Sequence, residues 1–486
     1  MHQASLDLTQ DPGFGEYVNA PLNSEMIEMA DDAVVISRAL GEQLVTQAFP
    51  DAKTLARAFH LELSELPPEY DEYVNKLVLS VREQMSEVVA DYDIPDEALA
   101  RVLKKVWVYA RFSNPKIEFL EDVISEMEGT EKTAVFATGL AAIKAVTHQY
   151  TNPEMMKMAK GGEEELVKRS KVAEWQKDGY EVVGEEPAEK ITVIGSIYGG
   201  TYAQLLDTWD QTDREVEFIS LDEFMSGGLP VGTKMVYFES SNNPTLDVMP
   251  IDLIVAAAKE AGAVTVCDNT FTPISVKPAE LGVDFVVYSM TKYIGGESKD
   301  MGGSVSGDAD KIAMLSDMNI GQRMTGGGNM AARVAEIFLE SIKDLPERLY
   351  KCNYNAKKLC RIACDYELDF NFIEKEGPKH KEVFDRIRNP LVPETVSNGM
   401  VTIDFGSQER AQEFVDKMIN TGVGVGAVSL GATQSYYSIP AETTHSEIPS
   451  EKQLEMGVTP GMVRISCGVE ANLVEAIEGV LEEMGL

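Results

Sequence analysis

The chain is 486 residues long and 44% apolar, a globular composition with enough apolar surface for a large core in two or three folding units. Its 80 acidic residues against 43 basic ones leave a formal charge of -37, which excludes a generic electrostatic affinity for nucleic acid or anionic lipid and implies a solvated acidic surface. No apolar run approaches the roughly 18 residues of a membrane helix, and MHQASLDLTQDPGFGEYVN has neither a basic start nor an apolar stretch, so no span or secretory leader is expected and the cytoplasm is.

Residues 1 to about 45 are acidic and weakly patterned, and are expected to form an arm or partly ordered extension. From about 52 to 108 the pattern turns helical: Val74, Leu77, Val78, Val81, Met85 and Val88 recur close to a 3.6 period. IPDEALARVLKKVWVYA continues the pattern after a proline break. Between about 115 and 345, short apolar strands alternate with helices. KTAVFA, KITVIG, EVEFIS, KMVYFE, AVTVCD, FVVYSM and GSVSG are the strand candidates, and IDLIVAAAKEAG is typical of the helices between them. That alternation predicts an α/β fold, a mostly parallel sheet with helices on both faces.

A charged stretch at about 150–189 reads as a surface insertion with one amphipathic helix. A long helix is expected to end near Asn355, followed by a smaller α+β unit closed by NLVEAIEGVLEEMG. The domain division is therefore 1–108 (acidic extension and helical arm), 109–345 (large domain) and 346–486 (small domain). Five cysteines, Cys267, Cys352, Cys360, Cys364 and Cys467, read as reduced thiols. Cys360 and Cys364 lie one helical turn apart and are expected in the core rather than on a metal; no metal site is expected.

Two apolar strands end in chemistry. One closes with Asp268 and the next with Ser289, Met290, Thr291 and Lys292. Ligands of open α/β sheets sit at the carboxyl ends of strands, so both side chains are expected to face one crevice. A carboxylate and an amine there suit a pyridine cofactor: the acid keeps the ring nitrogen protonated and the amine condenses with an aldehyde. TKY alone is equally a lysine capping a strand end. The flanking hydroxyls and the Gly-Gly that follows favour the reactive reading.

SMTKYIGG (289–296), with DNTF (268–271) upstream, resembles the lysine and aspartate signatures of the Cys/Met-metabolism pyridoxal-phosphate family of cystathionine synthases and lyases, methionine γ-lyases and O-acylhomoserine sulfhydrylases. YARFSNP (109–115), FATGLAAI (136–143), YGGT (198–201), ESSNNPTL (239–246), SLG (429–431) and THSEIPSEKQLEMGVTPGMVRISCGVE (444–470) follow in the family's order, so the resemblance spans about 105–486 with two poor stretches. It implies pyridoxal 5'-phosphate as cofactor. The implied fold is aspartate-aminotransferase-like (fold type I), and the implied assembly a homo-oligomer, a dimer of dimers, with a small amino acid as substrate.

Thr138, Gly139 and Leu140 follow a strand and open a helix, an anion site suited to a phosphate. The resemblance adds Ser289 and Thr291 to that shell, and has Tyr109 and Arg111 reach the phosphate of the neighbouring subunit, although Arg111 alone could be a surface ion pair. It further implies that Tyr198 stacks on the pyridine and protonates a departing thiol, and that Asn243 bonds the cofactor's phenolic oxygen. Tyr198 could otherwise be a packed core tyrosine. Arg464 sits mid-strand in an apolar run, where an unpaired guanidinium is costly, so a substrate α-carboxylate is its natural partner, with Ser429 beside it.

The implied reaction is γ-elimination by a C–S lyase on a sulfur amino acid such as methionine, cystathionine or a homoserine derivative. γ-Replacement, of the cystathionine γ-synthase or O-acylhomoserine sulfhydrylase type, is the alternative, and a non-catalytic cofactor-binding homologue a more distant one. Val428 ahead of Ser429 resembles the methionine γ-lyase version of that loop, where synthases and cystathionine lyases often have glutamate. Gly200 departs from it, because methionine γ-lyases carry cysteine there. Other departures are the helical segment 52–108, the insertion at 150–189, Glu297, Ser298, Lys299 and Asp300 after the Gly-Gly, and FIEKEGPKHKEVFDRIRNPLVPETVSN; all are places where an entrance or a specificity changes.

Overall fold

The computed structural model describes residues 114–486 apart from 152–154, 169–171, 183–189, 211–214, 318–320, 391–395 and 447, together with scattered positions between 7 and 34. The expected helical segment 52–108 lies outside the described residues, as do Tyr109 and Arg111.

Fifteen strands are described in chain order: β1 Lys132–Phe136, β2 Met155–Lys160, β3 Glu163–Lys168, β4 Glu181–Val182, β5 Lys190–Ile194, β6 Glu215–Ile219, β7 Met235–Glu239, β8 Val264–Asp268, β9 Phe285–Ser289, β10 Gly303–Gly307, β11 Asp369–Asn371, β12 Met400–Asp404, β13 Val425–Gly426, β14 Tyr436–Ser438 and β15 Met462–Ser466. The seven strands expected from the apolar runs are β1 and β5–β10, and they form one sheet in the order β1-β10-β9-β8-β7-β5-β6. From β6 to β9 every pairing is parallel, while β10 is antiparallel to both its neighbours.

Side chains alternate between the two faces, and both faces are covered. Met235 and Tyr237 point into one core with Ile143 and Val146 of the helix Gly139–Thr151. Val236 and Phe238 point into the other, with Leu120 and Ile124 of the helix Pro115–Glu128 and Ile254 of Ile251–Ala261. Continuous Val/Ile/Phe runs are what such doubly covered parallel strands require. The second core runs on into a five-stranded sheet, β11-β12-β15-β14-β13, packed by the helices Leu345–Asp365, Gln408–Thr421 and Leu473–Glu483.

Three expectations are corrected, for the long helix, the charged insertion and the cysteine pair. The long helix does not end near Asn355: Ala332–Ile342 stops, and Leu345–Asp365 restarts with Pro346 in its first turn and runs on to Asp365. The charged insertion holds, among its described residues, a three-stranded antiparallel sheet, β3-β2-β4, beside the short helix Val172–Lys177. Gly161 and Gly162, both at positive φ (64° and 92°), make the two-residue turn between β2 and β3. Within the acidic extension, the helix Pro12–Val18 buries Phe14 and Tyr17 against Tyr350, with ring centroids 5.3 and 5.7 Å apart. Cys360 is only half-buried and Cys364 is exposed, because the second thiol turns away from the face that packs. No helix among the described residues is long and apolar enough to cross a membrane.

Candidate active site

The carboxyl ends of β7, β8 and β9 open on a cavity of about 280 Å³ between the two sheets. Its wall includes Thr138, Gly139, Leu140, Tyr198, Asn243 and Asp268, and is completed by Ser289, Thr291, Lys292 and Arg464. Ten of the site residues expected from sequence thus share one space. Ser429 joins them through Lys292, whose Nζ donates to its Oγ at 3.0 Å.

One end of the cavity is built for an anion. The helix Gly139–Thr151 begins against the end of β9, with the Thr138 hydroxyl accepting the Ala141 N–H at 3.0 Å. A Cβ at Gly139 would stand 2.9 Å from Ser289 Cβ, so only glycine lets the helix N-terminus come this close to the Ser289 hydroxyl. Thr291 lies across from it, its Oγ1 accepting the Gly302 N–H at 3.1 Å.

At the floor, Asp268 is held by three donors: the Thr270 N–H at 3.0 Å, the Thr270 hydroxyl at 2.5 Å and the Tyr237 phenol at 3.5 Å. Burial pushes its carboxyl above the usual range and these donors pull it back. No cation bonds it among the described residues. Lys292 is pushed down to about 8, by burial first and by the Arg464 charge second, which leaves a share of the amine neutral near physiological pH.

Arg464 is 2% exposed in the centre of β15, between Thr402 of β12 and Ser438 of β14. It donates to Asn243 Oδ1 at 3.2 Å and to the carbonyls of Val428 and Ser429 at 2.9 and 3.2 Å. All three partners are neutral, so the charge meets no carboxylate of the described chain. Tyr198, 45% exposed, lies at the mouth with Met301 and Val428. A Cβ at Gly200 would stand 2.5 Å from the Tyr198 ring, so the bare glycine gives that ring its place.

Sequence reasoning missed Glu239, Ser241 and Thr270, which line the same cavity. Glu239 closes an apolar strand as Asp268 does, and that was the available signal. Thr270 follows Asp268 in the DNTF block and ties it to β9 by accepting the Ser289 N–H at 2.8 Å. Ser241 Oγ is buried with no hydrogen-bond partner among the described residues.

The sequence profile of a family described as Cys/Met metabolism PLP-dependent enzyme matches residues 161–481. A cystathionine gamma-lyase of Bacillus subtilis (strain 168) is 30% identical over 387 residues, covering 77% of this chain and 89% of that protein. A methionine gamma-lyase of Arabidopsis thaliana is 28% identical, with 76% of each chain covered. Among solved structures, metB from Corynebacterium glutamicum superposes with a TM-score of 0.64 at 25% identity, over 79% of this chain and 89% of the other. A cystathionine gamma synthase from Xanthomonas oryzae pv. oryzae, with a TM-score of 0.64 at 23% identity over 78% of this chain and 89% of the other, shares the fold.

Proposed function

The chain belongs to the Cys/Met metabolism PLP-dependent enzymes, fold type I enzymes of sulfur amino-acid metabolism with pyridoxal 5'-phosphate as cofactor, and from that premise we propose that it is a C–S lyase acting by γ-elimination. The observation that carries the reading is one cavity holding a half-buried amine, a half-buried carboxylate and a buried guanidinium without an acidic partner. The cavity suits the cofactor: the anion end fits a phosphate, the uncompensated Asp268 fits a protonated ring nitrogen, and the unpartnered Ser241 hydroxyl leaves a polar atom free for a ligand.

Bound pyridoxal phosphate supplies an aldehyde for an amine and a ring that takes up electrons released at Cα. The chain supplies the rest. Lys292 would hold the aldehyde and, as a free amine, take the proton from Cα; its lowered basicity suits that work near neutral pH. Ser429 is placed to hold the freed amine in the cavity. The Asp268 carboxylate keeps the proton at the ring nitrogen. Arg464 binds the α-carboxylate through two parallel N–H bonds. A proton is also lost from Cβ, for which the Lys292 amine would be the acceptor, as the Cγ–S bond breaks, and Tyr198, at the mouth, would protonate the departing sulfur.

The exposed apolar side chains at the mouth, Met301 and Val428 among them, favour a substrate whose far end is an uncharged thioether. By the family resemblance the enzyme works as a homo-oligomer, a dimer of dimers, with Tyr109 and Arg111 contributed across the interface.

The test is a product assay on the purified holoenzyme with methionine, cystathionine, homocysteine, cysteine and O-acylhomoserines offered separately. A four-carbon 2-keto acid and ammonia, with release of a thiol from methionine or cystathionine or of sulfide from homocysteine and with no added nucleophile, is the expected result; cysteine, which has no Cγ, is the control. Turnover that requires an added thiol and yields a thioether would move the assignment to γ-replacement. Release of pyruvate alone would move it to β-elimination.

A further inference from the structure

Two carboxyl groups, not one, stand at the floor of the cavity. Glu239 ends β7 and Asp268 ends β8, and the two are direct partners in the parallel ladder, so their side chains leave the sheet on the same side and both line the cavity. Glu239 is buried and Asp268 half-buried, and neither is bonded by a lysine or arginine among the described residues. Two negative charges at adjacent ladder positions in a low-dielectric setting cannot both persist; such a pair shares a proton.

The hydrogen bonds say which group carries it. Asp268 accepts from three donors, and such donors stabilise a charge. Among the described residues Glu239 receives one, the backbone N–H of Tyr198 at 2.6 Å. Burial, and then the neighbouring Asp268 charge, push the Glu239 carboxyl well above the usual carboxylate range.

We propose that Glu239 is a positioning residue that holds the one proton of the Glu239–Asp268 pair, so that Asp268 keeps its charge for the cofactor's ring nitrogen while the neutral Glu239 carboxyl pins the backbone of Tyr198. The proposal rests on the reading of Asp268 given above. Tyr198 precedes the helix Gly199–Asp210, and the hydrogen bond its backbone N–H donates to Glu239 Oε1 sets where the ring starts from. An ionised Glu239 would compete with Asp268 for the ring proton and draw the cofactor toward the wrong strand.

Glutamine copies a neutral glutamic acid in shape and hydrogen bonding, so it separates a need for the proton from a need for the charge. Two readouts serve. In the cofactor-free protein at neutral pH, infrared difference spectra of wild type against Glu239→Gln and Glu239→Ala should both show a protonated-carboxyl carbonyl band, shifted by deuteration and present only in wild type. In pyridoxal-phosphate titrations, Glu239→Ala should bind about tenfold more weakly, the loss of one buried hydrogen bond, and Glu239→Gln should recover most of that loss. Absence of the band in both differences, or a glutamine variant as weak as the alanine one, overturns the proposal. Borohydride reduction of the holoenzyme followed by peptide mapping keeps the two readings apart: a pyridoxyl group on a lysine other than Lys292 would remove the cofactor assignment, yet the infrared band would still report the proton on Glu239.

Discussion

Arg464 is a buried cation whose bonds all go to neutral oxygens. Burial lowers its guanidinium to about 10, still far above neutrality, so it remains charged in the working enzyme. A charge held this way is costly until a carboxylate arrives. An amino-acid substrate brings one, and the planar fork can meet both of its oxygens. Arg464→Ala should therefore raise KM steeply, by roughly 2–5 kcal/mol for a truncated buried ion pair, and leave the visible spectrum of the bound cofactor intact. Arg464→Lys should rescue poorly, since a point charge replaces the fork. The measurement is amino-acid kinetics beside cofactor titration for both variants. A normal KM in both, or cofactor loss with KM unchanged, would mean that Arg464 serves the fold or the cofactor and not the substrate.

At the scale of elements, the helix Pro115–Glu128 is tied to β9 by an acid. Glu128, fully buried, accepts a short hydrogen bond from the Tyr288 phenol, which itself accepts from Asn269 Nδ2 at 2.7 Å. Burial raises Glu128 to about 7, against an ordinary value of 4.5. A raised acid binds its proton more tightly in the folded chain, so its contribution is complete below the ordinary value and is lost as pH climbs through about 7. Glu128→Gln should lack that loss: denaturant midpoints of variant and wild type should diverge in favour of the variant as pH rises from 4.5 to 7. Parallel midpoint curves would show Glu128 ionised in the fold. Elements of this kind differ in how far sequence discloses them. The large sheet was legible because most of its strands, β5, β7, β8 and β9 above all, are short apolar runs. The insertion was not, because Glu163, Glu164 and Glu165 beside MMKMAK suggest a charged helix until the Gly161–Gly162 turn is given its weight. Asp268 and Lys292 were legible as strand-end chemistry. Glu239 closes its strand in the same way and was passed over, because nothing in local sequence says that β7 and β8 are neighbours. The Lys292–Ser429 bond likewise depends on how the two sheets meet.

For the whole molecule, the sheet order brings β7, β8 and β9 side by side, and the smaller sheet closes the cavity from above through Arg464. One side of that cavity is rimmed by exposed apolar groups: Leu140 at 37%, Tyr198 at 45%, Val428 at 61% and Met301 at 64%. A cluster of this kind at an active-site mouth calls for a cover, and the proposed dimer supplies one, with Arg111 of one subunit reaching the phosphate in the site of the other. In a two-fold assembly each subunit then gives Lys292 to one site and Arg111 to the opposite one. Arg111→Ala and Lys292→Ala should each be inactive as pure preparations. Mixed, unfolded and refolded together, half of the dimers are hybrids, and in each hybrid one site has both wild-type residues while the other has lost both. Recovery should approach about a quarter of the wild-type turnover by this counting, and it should appear only after subunits exchange. No recovery despite exchange verified by differently tagged chains would place Arg111 and Lys292 in the same subunit's site. Full activity in a species that sediments as a monomer would end the shared-site proposal altogether.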